Sequence, residues 1–403
     1  MKQAALRVVK TLQDAGFVAL FAGGCVRDLL MGHEPHDYDV ATSARPEEVL
    51  PLFRRTRTVG AKFGVVLVQI GRYAIEVATF RTDGSYADGR RPDAVQFTDA
   101  REDARRRDFT INGMFCDPVK DEIVDHVGGR ADLAAGLIRA IGEPEARFRE
   151  DHLRLLRAVR FAARFGFTIE PDTWSALCRH AAEIATISPE RIRVELEGML
   201  EDRNRATAIS LLHRSGLLRH LWPGAEAVES HMASLEATLG ALSEAARFEV
   251  GLAVLLSVLS PKQVAAACSD LRCSNASTET VRWLVRHQDA LRDPAGLTQA
   301  DLKLLMAHAA FGDLMDWFAA RTTALGDARD AYEEIAGRVS RIPAAEVAPP
   351  PLLTGHDLSA LGLPSGPRYK EILDRVYYAQ LNGEIREREA ALEMARRLMD
   401  RRD

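Results

Sequence analysis

The stretch FVALFAGGCVRDLLMGHEPHDYDVAT, residues 17–42, decides the fold of the N-terminal region. The apolar run Phe17 to Phe21 predicts a buried strand that enters a tight turn at Gly23-Gly24. A helix is predicted to follow, over Val26 to Met31. Glycines between a strand and a helix let the backbone approach a phosphate closely, with helix N–H groups directed at it. This order of elements therefore predicts strands and helices built around a phosphate-binding turn.

Two aspartates, Asp37 and Asp39, lie at the start of the second predicted strand of this stretch, which runs from Tyr38 to Thr42. Residues two apart on a strand face the same side, so both carboxylates are expected to point into one site. Such a pair without a basic partner favours a hard divalent cation, and Mg²⁺ fits best. The alternative is two solvated acids in a turn.

A third carboxylate, Glu76, lies on the predicted strand Tyr73 to Phe80, on a face that is otherwise apolar. Because a buried charge is costly unless it is paired or metal-bound, Glu76 is a candidate for completing the catalytic carboxylate set. The alternative is that this face is exposed at the edge of a sheet. The hairpin turn that precedes the strand is predicted at Gly71-Arg72.

The segment RRDFTIN, residues 106–112, is a second candidate site. Arginine pairs such as Arg106-Arg107 suit triphosphate oxygens because their forked donors match two acceptors at once. Asp108 and Asn112 are candidates for binding ribose hydroxyls. The alternative for the charged part is a cluster at a helix N-terminus.

The third candidate is EDHLRLLRAVRF, residues 150–161, in which apolar residues form one helical stripe. Asp151, Arg154 and Arg157 follow at spacings of three, on a neighbouring face. Alone, this pattern also fits a surface ion pair worth a few tenths of a kcal/mol.

Together GGCVRDLLMG…HDYDVAT, ARRRDFTINGM, EDHLRLLRAVRF and SPERIRVEL resemble the motifs of the class II tRNA nucleotidyltransferase and bacterial poly(A) polymerase family, in that order. The resemblance covers residues 18–200 strongly, and the segment from Thr354 adds to it. It implies an α+β fold, in which a head with a small β-sheet precedes an all-helical remainder. The implied domains are a catalytic head (1–140), a base-selecting neck (141–204), a body (205–345) and a tRNA-binding tail (346–403).

The resemblance also implies roles for individual residues. Asp37 and Asp39 hold the metals. Glu76, chosen from its strand position and not from the resemblance, is added to them as a catalytic candidate. The nucleotide-binding residues that it implies are Gly24, Arg27, Arg107, Glu150, Asp151, Arg154, Arg157 and Arg160. Asp108 is added to them as the ribose-binding candidate described above.

The implied activity is addition of CCA to the 3′ end of tRNA, from CTP and ATP, with two Mg²⁺ ions. The RNA 3′-hydroxyl attacks the α-phosphate and pyrophosphate leaves. Asp151 with Arg154 suits cytosine and adenine, since both bases present an amino donor beside a ring-nitrogen acceptor. Alternatives are an enzyme that adds only A or only CC, a poly(A) polymerase, and an RNA-binding module without activity.

A glycine-containing loop over Thr82 to Asp93 is predicted next to the metal strand. One pocket must bind a small base, cytosine, and then a large one, adenine. A loop that moves between C addition and A addition could change the size of the pocket. Asp83, Asp88 and Arg91 are the loop residues expected to take part. The alternative is a plain hairpin connection.

Composition agrees with an ordinary globular chain: 403 residues, 47% hydrophobic, with a net charge of −5. No apolar run reaches the length of a membrane span, and no secretory signal is expected. The five cysteines are expected to be reduced thiols of a cytoplasmic protein. After about residue 145 helical periodicity dominates, with a proline-rich linker predicted at Pro343 to Pro351. No membrane or protein partner is implied.

Overall fold

A computed structural model describes residues 1–58, 64–83, 95–364 and 366–400. Its contacts divide the chain into two compact units: Met1–Met232 with Ala267–Cys273, and Ala233–Ala266 with Ser274–Asp403. The β-structure and the first helices belong to the first unit. The α+β class predicted for the chain, with a small N-terminal sheet and helices after it, is confirmed.

The first unit contains the strands that the sequence predicted and several that it did not predict. In chain order they are β1 Ala19–Ala22, β2 Asp39–Thr42, β3 Thr56–Thr58, β4 Val65–Ile70, β5 Tyr73–Thr79, β6 Arg81–Asp83, β7 Val95–Phe97, β8 Met114–Asp117, β9 Glu122–Asp125, β10 Leu137–Ile138 and β11 Thr168–Ile169.

Seven of these strands form one sheet in the order β3-β4-β5-β2-β1-β8-β9. The predicted hairpin is present, since Ile70 pairs with Tyr73 across the two-residue turn at Gly71-Arg72. β2 and β5 run parallel and the other described neighbours in this sheet run antiparallel. This parallel pair matters for the site because it sets Asp39 beside Glu76.

The two faces of this sheet differ in what covers them. The back face carries Val40, Val66 and Val77, which are buried in one core with the apolar stripe of the first helix, α1 Lys2–Asp14. The opposite side, called the front face from here on, carries Asp39 and Glu76, which are exposed. The sheet is therefore anchored from behind by α1 and presents its carboxylates in front.

One expectation for the head was wrong, and two of its strands were not predicted. Thr82 and Asp83 were predicted to lie in a loop, but they pair with Gln96 and Val95 in the β6–β7 ladder. Asp88 and Arg91 lie outside the described residues. β8 and β9 were not predicted at all, since strands of four residues are too short to show a reliable alternation.

The helices are more numerous than the strands and fill most of the remaining chain, as predicted. Their bounds are α2 Gly24–Leu30, α3 Pro46–Val49, α4 Ala100–Arg105, α5 Gly129–Ala135, α6 Pro144–Glu150, α7 Leu153–Phe165, α8 Pro171–Arg179, α9 Pro189–Leu200, α10 Arg205–Arg214, α11 Glu226–Glu229, α12 Met232–Ala241, α13 Phe248–Leu256, α14 Pro261–Asp270, α15 Asn275–His287, α16 Gln299–Met306, α17 Phe311–Leu325, α18 Arg329–Arg341, α19 Ala344–Val347, α20 Gly355–Ala360, α21 Pro367–Leu381 and α22 Arg388–Asp400.

Helix ends follow the breaks read from the sequence. Gly166, in the left-handed conformation, ends α7, and the proline of Ser188-Pro189 is the first residue of α9. The predicted linker contains the short helix α19, so it is only partly irregular. Within the second unit, α20, α21 and α22 share a small core that includes Leu358, Ile372 and Ala395.

Two expectations about the chain as a whole can be compared with this structure. All five cysteines are free thiols. Among the described residues, no helix is both long enough and apolar enough to span a bilayer.

Candidate active site

A cavity of about 520 Å³ in the first unit collects most of the residues singled out from the sequence. Its lining is dominated by guanidinium groups, and three aspartates lie among them. The lining residues are Gly23, Gly24, Arg27, Asp39, Arg81, Arg106, Arg107, Asp108, Asn112, Asp151, Arg154, Arg157, Arg160 and Phe161. Asp37, Glu76 and Glu150 lie outside this lining.

The carboxylate end of the cavity is set by sheet register. Asp37 and Asp39 are exposed while Tyr38 between them is buried, which is the alternation predicted for this pair, although β2 begins only at Asp39. Because Val40 pairs in parallel with Val77, the preceding residues, Asp39 and Glu76, lie side by side on the front face.

Electrostatics at Asp39 follow from this crowding. Desolvation by the surrounding protein, together with the negative charges of Glu76 and Asp37, raises the pKa of Asp39 to about 6, and Arg107 opposes the rise. A site whose negative charge is this poorly compensated suits a bound divalent cation. In the part of the chain that the structure describes, no group of three or more His, Cys, Asp or Glu side chains is arranged to hold a metal ion. Glu76 lies beside Asp39, and its part in the catalytic set stays a prediction.

Gly23 brings the backbone close to an arginine. Its φ of 72° and ψ of −132° lie in a region that side chains rarely adopt, and a Cβ on it would lie 2.8 Å from Nη1 of Arg107. A Cβ on Gly24 would lie 3.5 Å from Arg27, an ordinary contact. Of the two glycines, Gly23 is the one that the local geometry requires.

Arg27 extends from α2 and is almost fully buried. Its Nη1 donates to Oδ1 of Asn112 at 2.6 Å, while Nε and Nη2 donate to Asp28. The guanidinium also lies over the ring of Phe165, 4.5 Å from the ring centre. Burial lowers the pKa of Arg27, and Asp28 opposes this effect. The side chain is thus held rigidly with a positive charge at the cavity wall.

Asp103 anchors the arginine pair that follows α4. One of its carboxylate oxygens accepts from Nε of Arg106 at 2.9 Å, and the other accepts from Arg107 at 3.1 and 3.2 Å. Burial alone would raise the pKa of Asp103, but Arg107 and Arg106 outweigh it and lower the pKa. The pair follows the C-terminal end of α4, so the alternative of a cluster at a helix N-terminus does not hold.

Asp108 joins the second and third sequence motifs. Its Oδ2 accepts from Arg157 at 2.7 and 2.8 Å, and its Oδ1 accepts from the backbone N–H of Phe109 and from Asn112. Burial would raise its pKa, but the contacts with Arg157 and Asn112 dominate and lower it. Four bonds occupy the acceptor capacity of a carboxylate. Asp108 therefore positions Asn112 and Arg157, and its contact with ribose remains a prediction.

Asp151 lies in the corner between α6 and α7, two residues before α7 begins. The sequence pattern placed it on the helix face with Arg154, and that was wrong: within the described residues its ion pair is with Arg191 of α9, at 2.8 Å. Its other oxygen accepts from the backbone N–H of Leu153. The carboxylate is held at the cavity wall and keeps acceptor capacity.

Arg154 is buried next to this corner. Nη1 donates to Glu150 at 2.7 Å and to the backbone oxygen of Arg147, and Nη2 donates to the backbone oxygen of Arg106 at 3.1 Å. These bonds use three of the five N–H groups of a guanidinium, so two remain for a ligand. The proposed role of Glu150, to orient its neighbours, agrees with this geometry.

Glu195 of α9 orients Arg157 and Arg160, as Glu150 orients Arg154. It accepts from Nε of Arg160 at 2.6 Å and lies 3.7 Å from Arg157. Both guanidinium groups lie over the ring of Phe161, 4.7 and 5.0 Å from its centre. Burial would lower the pKa of Arg157, but Asp108 and Glu195 raise it instead.

The sequence predicted most of the residues that line the cavity. It predicted fewer of the residues that hold those side chains in place. Asp103 and Phe161 were not assigned roles, although Asp103 stands three and four residues before the arginine pair. Arg191 and Glu195 belong to SPERIRVEL, which was noted only as a bracing motif.

Comparison with known proteins agrees with this geometry. The family model described as "Poly A polymerase head domain" matches residues 19–139, and the model described as "Probable RNA and SrmB- binding site of polymerase A" matches residues 166–228. The CCA-adding enzyme of Geobacillus thermodenitrificans is 36% identical, over 95% of this chain and 93% of that protein. The CCA-adding enzyme of Levilactobacillus brevis is 32% identical, over 96% and 95%.

Solved structures give the same result. The Bacillus stearothermophilus CCA-adding enzyme in complex with CTP superposes with a TM-score of 0.83 at 33% identity, covering 98% of this chain and 97% of that one. The Thermotoga maritima CCA-adding enzyme, complexed with tRNA, has a TM-score of 0.69 at 22% identity, covers 99% and 95%, and shows the shared fold.

Gly23 and Gly24 offer a matched pair for testing the turn. We expect Gly23→Ala to lower the free energy of unfolding by about 1–3 kcal/mol, because the backbone is strained for alanine and Arg107 must move. Gly24→Ala should lower it by less than about 0.5 kcal/mol. Urea titration of both variants measures the difference. Equal midpoints would show that Gly23 is not required by this geometry.

Proposed function

The chain belongs to the family of CCA-adding enzymes, and we propose that its arginine-lined cavity is the site at which CTP and ATP are selected and joined to the 3′ end of tRNA. The chain is a nucleotidyltransferase that adds CMP, CMP and AMP in turn without a nucleic-acid template. The observation that carries the site assignment is the placement of Asp151 and Arg154 on one cavity wall, each fixed by partners that lie behind it.

Base choice follows from hydrogen-bond polarity. Cytosine and adenine each present an amino donor beside a ring-nitrogen acceptor. Asp151 accepts from the amine, and the free N–H groups of Arg154 donate to the ring nitrogen. Uracil and guanine present a carbonyl and an N–H instead, which would leave both protein groups mispaired at a cost of about 1–3 kcal/mol each. One rigid pair can therefore accept both correct bases.

The opposite end of the cavity suits the triphosphate. Arg27 and Arg107 lie beside the Gly23-Gly24 turn, where the backbone can approach closely. Their charges lie where the leaving pyrophosphate gathers negative charge, so they stabilise the transition state as well as the bound nucleotide. Asn112, held between Arg27 and Asp108, is placed to contact the ribose.

Nucleotidyl transfer in this family uses a divalent metal, and we assign Asp37 and Asp39 as its ligands, with two Mg²⁺ ions. Two carboxylates are enough, because Mg²⁺ usually keeps several waters and takes further oxygens from substrate phosphates. When bound, the metal makes the 3′-hydroxyl more acidic and neutralises the triphosphate. Glu76 acts by adding negative charge beside Asp39.

For the rest of the chain we propose the division read from the sequence. Residues 1–140 form the catalytic head, 141–204 the base-selecting neck, 205–345 the body, and 346–403 a tail that binds tRNA. The loop with Asp83, Asp88 and Arg91 remains the proposed lever between C and A addition.

The carboxylate assignment is tested by Asp39→Asn. Loss of a metal ligand removes several kcal/mol of transition-state stabilisation, so the rate of CMP and AMP incorporation into tRNA lacking CCA should fall about 1000-fold. The exposed neighbour Glu34 provides the control, and Glu34→Gln should retain normal turnover. Near-normal turnover in Asp39→Asn, with tRNA binding and stability intact in both variants, would contradict the assignment.

The base-reading pair is tested by Asp151→Ala and by its support, Arg191→Ala. Losing the acceptor for the amino group should reduce the preference for CTP over UTP, and for ATP over GTP, about 10- to 100-fold. Arg191→Ala should shift both preferences in the same direction but less, and Arg191→Lys should restore part of them. The measurement is kcat/KM for the four nucleotides. A change confined to ATP would contradict a shared pocket.

A further inference from the structure

We propose that the front face of strands β3, β4 and β5, next to the catalytic carboxylates, binds the single-stranded 3′ end of the tRNA. This surface is called the track, and along it the 3′ end reaches the cavity. Arg55 and Arg57, at the free edge of the sheet, contact its phosphates. This inference rests on the proposed function and adds to it the RNA-binding residues of the head.

Sheet register places these residues in one row. Arg57 pairs with Leu67, Leu67 pairs with Glu76, and Glu76 lies beside Asp39. Opposed residues on neighbouring strands face the same side of a sheet, so Arg57 is on the front face with the carboxylates. Three strand spacings separate the backbones of Arg57 and Asp39, a distance of about 14 Å.

Arg55 extends the row along the edge. The backbone N–H of Gln69 donates to its carbonyl oxygen, which keeps Arg55 in register with the end of β4. It precedes β3 by one residue and Arg57 by two, so both arginines lie at the same edge of the sheet. Both residues are exposed, and among the described residues neither forms an ion pair.

Coverage of the sheet leaves this part of the front face open. Ala22, Ala41 and Phe115 are buried with Phe80 and Ala104 of α4, which covers the inner strands. Further out, Glu76 and Ala74 of β5 are exposed, and Leu67 and Gln69 of β4 are half-buried. The buried group beneath α4 includes no residue of β3 or β4. The row thus runs from two free cations, across a partly apolar strip, to the catalytic acids.

Charge complementarity identifies the occupant. A polyanion is drawn to Arg55 and Arg57, whereas Glu76, Asp39 and Asp37 repel phosphates. Single-stranded RNA can lie with phosphates on the arginines and its 3′-hydroxyl at the acids, with Leu67 beneath the intervening nucleotides. The nucleoside triphosphate occupies the arginine cavity on the other side of Asp39, so the two substrates approach the carboxylates from opposite sides.

The test is a charge reversal with a matched control. The double variant Arg55→Glu, Arg57→Glu should raise KM for tRNA lacking CCA about 10-fold or more while KM for CTP stays within about 2-fold. The control is Arg7→Glu, Lys10→Glu, which makes the same change of charge on exposed positions of α1, behind the sheet. It should leave both KM values near those of the unaltered enzyme.

A finer measurement separates the single strand from the acceptor duplex. A neutral methylphosphonate linkage is placed at one position at a time in the tRNA and assayed with the unaltered enzyme and with Arg57→Ala. A linkage in the single-stranded 3′ end should weaken binding to the unaltered enzyme but have little further effect on Arg57→Ala. If the effect of a neutral linkage depends on Arg57 only when the linkage is in the duplex, the proposed track is wrong.

Failure of this inference differs from failure of the proposed function. An unaltered enzyme that adds neither CMP nor AMP to tRNA would refute the function. If it is active and the double variant has the same KM for tRNA as the control, the inference is wrong. The arginines then serve only to keep an exposed edge strand from pairing with another chain.

Discussion

Mutual repulsion among seven guanidinium groups in one cavity is the constraint on which the site depends. Such a cluster is stable only if acids hold it, yet if acids inside the cavity paired with every arginine, no donor would be left for a triphosphate. The structure separates the two functions by placing Asp103, Glu150 and Glu195 outside the cavity lining. The arginines keep fixed directions and the cavity keeps its positive charge. Asp108, which does line the cavity, has its carboxylate occupied by Arg157 and Asn112.

The same arrangement explains how a protein can read a base. A carboxylate and a guanidinium next to each other would normally neutralise each other in an ion pair, and neither would be available to a ligand. Here Asp151 pairs with Arg191 and Arg154 pairs with Glu150, so each has a partner that is not the other. Their remaining acceptor and donor positions are offered to the cavity. In the proposed function, selectivity then depends on how rigidly Arg191 and Glu150, which do not touch the nucleotide, hold Asp151 and Arg154, which do.

The amino-acid sequence predicted the parts of this molecule that depend on local order. The Gly23-Gly24 turn, Asp37, Asp39 and the arginine motifs could be recognised because each lies within a few residues of a strand or helix signal. β8 and β9 were missed because four-residue strands have too little pattern. The contact of Asp151 with Arg191 spans 40 residues, and its geometry depends on how α7 packs on α9. Spacing along the chain placed Asp151 on the α7 face, whereas tertiary packing turned it towards α9.

The parallel pairing of β2 with β5 has a consequence for how the chain is made. Parallel neighbours cannot be joined by a tight turn, so Asp39 and Glu76 meet only after the β3–β4 excursion between them has closed. On the ribosome, Arg157 and Arg160 also emerge well before Glu195. At about 5–20 residues per second this interval lasts a few seconds, during which a cluster of like charges lacks one of its counterions. The head sheet can form first, but the cavity closes only once α9 has left the exit tunnel.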